Sequence, residues 1–358
     1  MVAVGIAIAA GLLSLGEISV RTLTNVTFGG NSRNLITANR FNGRTWGNTP
    51  DVIGHSFEAV VFTDHDGFRV PNGRYRYPEP ASERILILGD SVAFGPGVAE
   101  PNTFVGLLRA AHPGWAVYNS SVIAYDANNY ADVVSDLTAR SQSFSNVILV
   151  YCLNDVSDTS ATHVDKHDEV PAPSGKGTGT RSGAPWDSRA NVVEALKRVG
   201  FVSNLNDYLR EHSKLYLYLK GISTDPAKRY FLADYAAYRD PAALSLLDNL
   251  DVIARALRQR QVRFTVIISP YEYQLRAHAT LPDSPEGNVF LPQRVVTEFL
   301  KSRGIDCVDA TVAFQHADIA DKSKLFLKFD PMHLSAAGHR VMYDVIRSVA
   351  ITRATPMN

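Results

Sequence analysis

The sequence predicts an α/β domain with a mainly parallel five-stranded sheet, helices on both faces and an insertion after the third strand. Three observations predict it. The strand candidates are near-continuous apolar runs, as strands buried on both faces are. They alternate with segments of helical spacing, the order of a sheet built from crossover units. The chain, 358 residues at 45% hydrophobic and 20% charged composition, can bury a core of that size.

Taken in order, Arg84 to Leu88 (RILIL) runs into Gly89-Asp90 and reads as the first strand. Pro101-Asn102 starts a helix over Thr103 to Ala111. Trp115 to Asn119 reads as the second strand, Ala127 to Arg140 as a helix, and Asn146 to Leu153 (NVILVYCL) as the third strand. The alternation then stops. Ser157 to Arg189 holds Pro171, Pro173, Pro185 and a Gly/Ser-rich run at 174–179 with no core pattern. A loop of that length in a compact domain is functional or disordered. Val192 to Tyr218 has helical spacing, with Leu196, Val199, Leu205, Leu209 and Tyr216 as apolar positions, so the insertion is placed at 157–240. The sheet pattern resumes with a helix over Ala242 to Gln259 and a strand over Val262 to Ser269. A helix over Val295 to Ser302, a strand over Ile305 to Val308 and a closing helix over Ala336 to Ala350 complete a domain spanning 84–352.

Ahead of the domain, Val2 to Leu15 is apolar apart from Ser14, and extension to Val20 reaches bilayer length with Glu17 as its one charge. An anchor helix over 1–21 is the expectation. A signal peptide cleaved near Ala7-Ile8-Ala9 would have too short an apolar core, and a buried soluble helix is the other alternative. No Lys or Arg precedes the segment, while Arg21, Arg33, Arg40 and Arg44 follow it. By the positive-inside rule this would leave the body in the cytoplasm, an objection that a start upstream of Met1 would remove. Residues 22–83, rich in Asn, Gly, Arg and Thr, read as an extended lead-in wrapping the domain, with a turn at Asp66-Gly67-Phe68-Arg69 and an apolar contact after it.

Lys plus Arg and Asp plus Glu are 36 each. This balance gives no overall field to draw nucleic acid or an anionic membrane surface. The two cysteines, Cys152 and Cys307, form no Cys-x-x-Cys pair. They support no disulfide framework and no zinc or redox site, and are expected to lie buried in the sheet.

Four short pieces carry the chemistry. Gly89-Asp90-Ser91 ends the first strand, and in open parallel sheets sites form at that edge. An ordinary turn would use the same residues. Asp330-Pro331-Met332-His333 precedes the last helix, and a serine nucleophile needs a base that a carboxylate orients. Asn154-Asp155 ends the third strand, where an amide can donate to an oxyanion. Asn119-Ser120-Ser121 ends the second, where a backbone N–H can do the same. His339, without a comparable carboxylate spacing, reads as surface or core. Ser269 to Arg276 (SPYEYQLR) follows the fourth strand and either lines a groove or caps the sheet.

In this order the four pieces resemble the SGNH (GDSL) hydrolase family over roughly residues 84–350. The resemblance rests on Gly89-Asp90-Ser91-Val92, Leu153-Asn154-Asp155 and Asp330-Pro331-Met332-His333-Leu334. It implies a flavodoxin-like three-layer α/β/α sandwich, with Ser91 as nucleophile, His333 as base and then acid, and Asp330 as its orienter. The implied oxyanion hole is the Ser91 N–H, the Ser121 N–H and the Asn154 side chain. Two positions depart from the family pattern: Ser121 stands where the second block has glycine, and Cys152 where glycine precedes the third-block asparagine by two. The resemblance calls for no metal or organic cofactor. It implies an ester hydrolase taking an acylated small molecule or carbohydrate, tethered to the inner membrane and facing the periplasm. The alternatives are an O-acyltransferase with the same triad and a non-catalytic membrane-anchored subunit of a complex.

Overall fold

The computed structural model describes residues 2–156, 200–281 and 287–352. Its core sheet begins with β6 (Glu83–Gly89), β7 (Trp115–Asn119) and β8 (Asn146–Tyr151). β9 (Arg263–Ile268) and β10 (Asp306–Asp309) complete the parallel part. These five pair in the order β10-β9-β8-β6-β7, every pair parallel. All six residues of β8 are buried, as a strand covered on both faces requires.

The sheet is wider than the sequence suggests. Beyond β7 it continues through β5 (Arg69–Val70), β4 (Ala59–Thr63) and β3 (Ile53–Ser56), all antiparallel and all from the lead-in. A separate antiparallel pair joins β1 (Ile36–Thr37) to β2 (Gly47–Asn48). The reason they escape a hydrophobic-pattern reading is local. In β3, Ile53 is 64% exposed while Gly54 and Ser56 face inward, so the apolar residue marks the solvent face. The turn expected at Asp66 to Arg69 is present, with Gly67 at φ 78° and a Cβ there 2.5 Å from the Asn48 carbonyl oxygen, a position only glycine can fill.

Helices flank the sheet in two groups. α2 (Ser91–Phe94) and α3 (Phe104–Ala111) follow β6, and α3 packs on the closing helix. α4 (Ala127–Ala139) follows β7; Asp126 caps it by accepting from the Asn128 and Asn129 N–H groups. The insertion contributes α5 (Gly200–His212), α6 (Lys214–Thr224), α7 (Pro226–Ala237) and the short α8 (Pro241–Leu244). α9 (Asp248–Arg258), α10 (Leu291–Ser302), α11 (Thr311–His316) and α12 (Ala336–Thr352) complete the domain, with α9 packed on α4.

The single helix expected over 192–218 is instead two, where described. Ser213 breaks it, adopting extended geometry (φ −127°, ψ 110°) and capping α6 by accepting from the Tyr216 N–H at 3.0 Å. The loop expected over 157–189 lies outside the described residues. Cys152 is buried as expected, whereas Cys307 is partly exposed because β10 is the sheet's outer parallel strand.

One described helix, α1 (Val2–Leu23), is long and apolar enough to be a membrane anchor or a signal sequence. Val4, Ile6, Leu12 and Leu13 are each about 60% or more exposed, so the protein offers this stretch no core. Its far end is tied down. Glu17 accepts from the Lys214 N–H (2.9 Å), the Leu215 N–H (2.9 Å) and the Ser213 hydroxyl (2.8 Å), so it caps α6 from another segment of chain.

Candidate active site

The turn after β6 brings Ser91 to the carboxyl edge of the parallel strands. It is sharp because Gly89 lets two segments close in. A Cβ there would stand 2.8 Å from the Val150 carbonyl oxygen and 2.7 Å from the Ala93 Cβ. Asp90 then accepts from the Val92 N–H at 2.8 Å, starting α2 with Ser91 as its first residue. The Ser91 N–H is therefore one of the donors that a helix start leaves to other partners.

The loop before α12 carries Asp330 and His333. Asp330 Oδ1 accepts from the backbone N–H groups of Met332 (3.0 Å) and His333 (2.8 Å), which fixes the carboxylate. Its Oδ2 lies 2.7 Å from His333 Nδ1, and His333 Nε2 lies 2.8 Å from Ser91 Oγ. With the ring proton on Nδ1 facing the carboxylate, Nε2 is left to accept from the serine hydroxyl. Carboxylate, imidazole and hydroxyl are thus in line, the arrangement that can turn a serine into a nucleophile.

The insertion holds this loop. Phe329, next to Asp330, sits at φ 61°, left-handed backbone that is costly for a residue of its bulk. Its ring lies edge-on to Tyr218 of α6, in a seat left open by Gly221, where a Cβ would stand 2.4 Å from the ring. On the other side, the Glu272 N–H donates to the Pro331 carbonyl at 2.8 Å. Arg276 bridges Glu272 (2.7 Å) and Asp225 (2.7 Å), tying that contact to the start of α7.

Asn154 sits in the turn after β8, 9% exposed, with its Oδ1 buried and unpartnered among the described residues. Ser121 is placed differently from the expectation. Its N–H donates to Asn119 Oδ1 at 3.2 Å, so that N–H does not stand free for an incoming oxyanion. The Ser121 hydroxyl is buried and without a partner among the described residues, 3.7 Å from the Cβ position of Gly89. Tyr271 and Tyr273 are buried, with Tyr271 donating to Asp234 at 2.6 Å, so they cap the sheet and do not line a groove. His339 is fully buried, its pKa pushed down to about 3, first by burial and then by Arg69.

Beneath Ser91 lie two fully buried acids. Burial pushes Asp90 up to about 6, against the pull of the Val92 N–H and of His333. Asp155 is pushed well above the usual carboxylate range, by burial first and by Asp90 second. Their adjacency means that two charges are not both carried there at neutral pH.

The lead-in supplies residues that motif reading does not reach. Buried Arg69 of β5 donates to the carbonyls of Phe94, Gly95 (2.6 Å) and Val98, clamping the loop after the α2 helix. Its neighbour Arg109 pairs with buried Glu100. Phe57, at the β3–β4 turn, lies edge-on to His333 with ring centroids 5.3 Å apart. The signal that could have flagged Arg69 is the arginine beside the Gly67-Phe68 turn. Phe57 has no such signal.

No known family's sequence profile matches the chain. No curated protein matches it either. Similar solved structures include the acetyl xylan esterase AlAXEase, at 12% identity, TM-score 0.43, and 75% of this chain against 100% of that one. Another is a putative lipolytic protein of the G-D-S-L family from Desulfitobacterium hafniense DCB-2, at 12% identity, TM-score 0.38, covering 75% and 99%. A third is a catalytic mutant of Axe2, an acetylxylan esterase from Geobacillus stearothermophilus, at 14% identity, TM-score 0.38, covering 74% and 93%. Likeness at this level decides neither activity nor substrate. The chain has the mainly parallel α/β sheet expected from its SGNH-like sequence blocks, and the first and last of those blocks meet at one edge of it.

Proposed function

We propose that this chain is an SGNH-type serine ester hydrolase acting on acyl esters, in which Ser91, His333 and Asp330 form the catalytic triad. The observation that carries the reading is the unbroken line from Asp330 Oδ2 to His333 Nδ1 (2.7 Å) and from His333 Nε2 to Ser91 Oγ (2.8 Å). Ser91 Oγ attacks the ester carbonyl carbon while its proton passes to His333 Nε2. The oxyanion is held by the Ser91 N–H and the Asn154 amide. Collapse breaks the bond to the alcohol, which leaves with the proton from His333. Water then attacks the acyl-serine, His333 takes its proton, and the acid is released as Ser91 is restored.

O-acetylated envelope carbohydrate is the proposed substrate class, supported by the apolar N-terminal helix tied to a hydrolase-like domain. The test is turnover of short-chain aryl esters and acetylated sugars by the wild type and by Ser91→Ala, with and without a free sugar acceptor. Turnover that needs Ser91 and ignores the acceptor supports hydrolysis. Turnover that rises with acceptor makes the protein a transferase, and equal turnover by both proteins removes Ser91 from the chemistry.

A further inference from the structure

We propose that Phe57 sets the leaving-group side of this site, holding the His333 ring in place and walling the path of the ester's alcohol. The inference rests on the hydrolase reading above and adds to it the residue that chooses the alcohol.

The placement is direct. The two rings meet at 83° with centroids 5.3 Å apart, an edge-to-face contact that restrains the imidazole. His333 must deliver its proton to the leaving oxygen, so that oxygen comes within hydrogen-bond reach of Nε2. The alcohol attached to it then passes beside whatever packs on the His333 ring. Phe57 packs there, and it is only partly buried, so part of its ring remains for a ligand. On this reading the acyl group belongs beside the Ser91 and Asn154 donors, and Phe57 acts on the alcohol.

The backbone at Phe57 is unfavourable for its own side chain. Phe57 has φ 47° and Glu58 φ 66°, so both central residues of this two-residue turn are left-handed. Turns of that type favour Asn-Gly, and bulky residues are strained in them. The surroundings keep the turn in place. The Phe57 N–H donates to the Gly30 carbonyl (2.9 Å), and the Gly97 N–H donates to the Ser56 carbonyl (3.0 Å). Glu58 pairs with Lys214 of α6 at 3.0 Å and accepts from the Phe28 N–H at 3.0 Å. Gly97 lies beneath it, a Cβ there standing 3.4 Å from the Phe57 Cβ. A phenylalanine held against its backbone preference, over a histidine that faces Ser91, is the pattern of strain kept for a site.

The test uses the full chain with three variants: Phe57→Ala, Phe57→Tyr, and the double change Phe57→Asn with Glu58→Gly. Each is assayed on two ester series, one with a fixed acetyl group and varied alcohols, the other with a fixed alcohol and varied acyl chains. Thermal midpoint and fluorophosphonate labelling are read alongside. The double variant is expected to melt close to the wild type, because relaxing the turn offsets the loss of the Glu58 contacts to Lys214 and the Phe28 N–H. Its kcat/KM nevertheless falls, and discrimination among alcohols falls by about tenfold, the scale on which one apolar contact discriminates. Discrimination among acyl chains stays within about twofold, and Phe57→Tyr restores most of the alcohol preference. Phe57→Ala follows the double variant in selectivity whatever its stability. Unchanged alcohol selectivity in an active, labelled protein overturns this inference alone, as does an equal shift in both series. A wild type that neither labels nor turns over any ester overturns the hydrolase reading and this inference with it.

Discussion

His333 Nε2 stands 2.8 Å from Ser91 Oγ although 242 residues separate them in the chain. That closeness depends on two unrelated supports: the β6 turn that needs Gly89, and the loop before α12 that Phe329 seats against Gly221. Groups that transfer one proton between them act as a unit. Ser91→Ala and His333→Ala are each expected to lower kcat by several orders of magnitude, and the double variant to be scarcely worse than either. Steady-state kinetics on an aryl acetate checks this; losses that multiply in the double variant would show the two residues working separately.

Asn154 offers a side-chain donor in the turn after β8. Asn154→Ala is expected to lower kcat by about 10²–10³-fold with little change in KM, the usual effect of removing one oxyanion donor. Ser121→Ala should cost far less, because it removes only a hydroxyl with no partner among the described residues and keeps the backbone N–H that Asn119 engages. If Ser121→Ala proves the more damaging, the oxyanion donor is the Ser121 hydroxyl and the assignment moves to the second strand's end.

The buried acid beneath Ser91 makes stability depend on pH. Asp90 is pushed up to about 6 in the folded protein, from an ordinary value of 3.8, chiefly by burial. An acid with a raised folded pKa favours folding fully below its unfolded pKa and loses that contribution as pH rises through the folded value. Asp90→Asn, whose amide oxygen can still accept from the Val92 N–H, removes the titration. Wild type is therefore expected to lose stability relative to Asp90→Asn between about pH 4 and pH 6, by at most about 1.4 kcal/mol per pH unit. Denaturant midpoints across that range decide it; parallel curves would mean that Asp90 titrates alike in both states.

Glu17 separates the two ends of α1. A truncation removing residues 1–13 is expected to keep the full thermal midpoint and to leave membranes without detergent. One removing residues 1–23 strips α6 of the Glu17 carboxylate and should cost about 1–3 kcal/mol. Fractionation and thermal melts read both, and equal midpoints for the two truncations would show the cap to be idle.

The parallel half of the fold was legible because its strands are apolar runs such as Ile85 to Leu88 and Val147 to Tyr151, buried on both faces. The antiparallel half was not. β5 is only two residues long, and β3 turns Ile53 outward, so neither presents a hydrophobic period. Ser91, Asp330 and His333 lie at or beside turns whose composition marks them. Phe57 and Arg69 reach the site from an edge that only the three-dimensional pairing of β5 with β7 brings near. The engagement of the Ser121 N–H has a local cause that no motif signals: the side chain of Asn119 folds back onto it. Ser213, a single helix-starting residue inside an amphipathic stretch, hid the break between α5 and α6.

Covalent labelling tests the central claim most directly. A fluorophosphonate reacts with a serine only when a base removes its proton, so it reports the Ser91–His333 pair whatever the natural ester is. The wild type is expected to take up one equivalent, located at Ser91 by peptide mass, with labelling lost in both Ser91→Ala and His333→Ala. A folded wild type that stays unlabelled, or label found elsewhere and undiminished in Ser91→Ala, would contradict it.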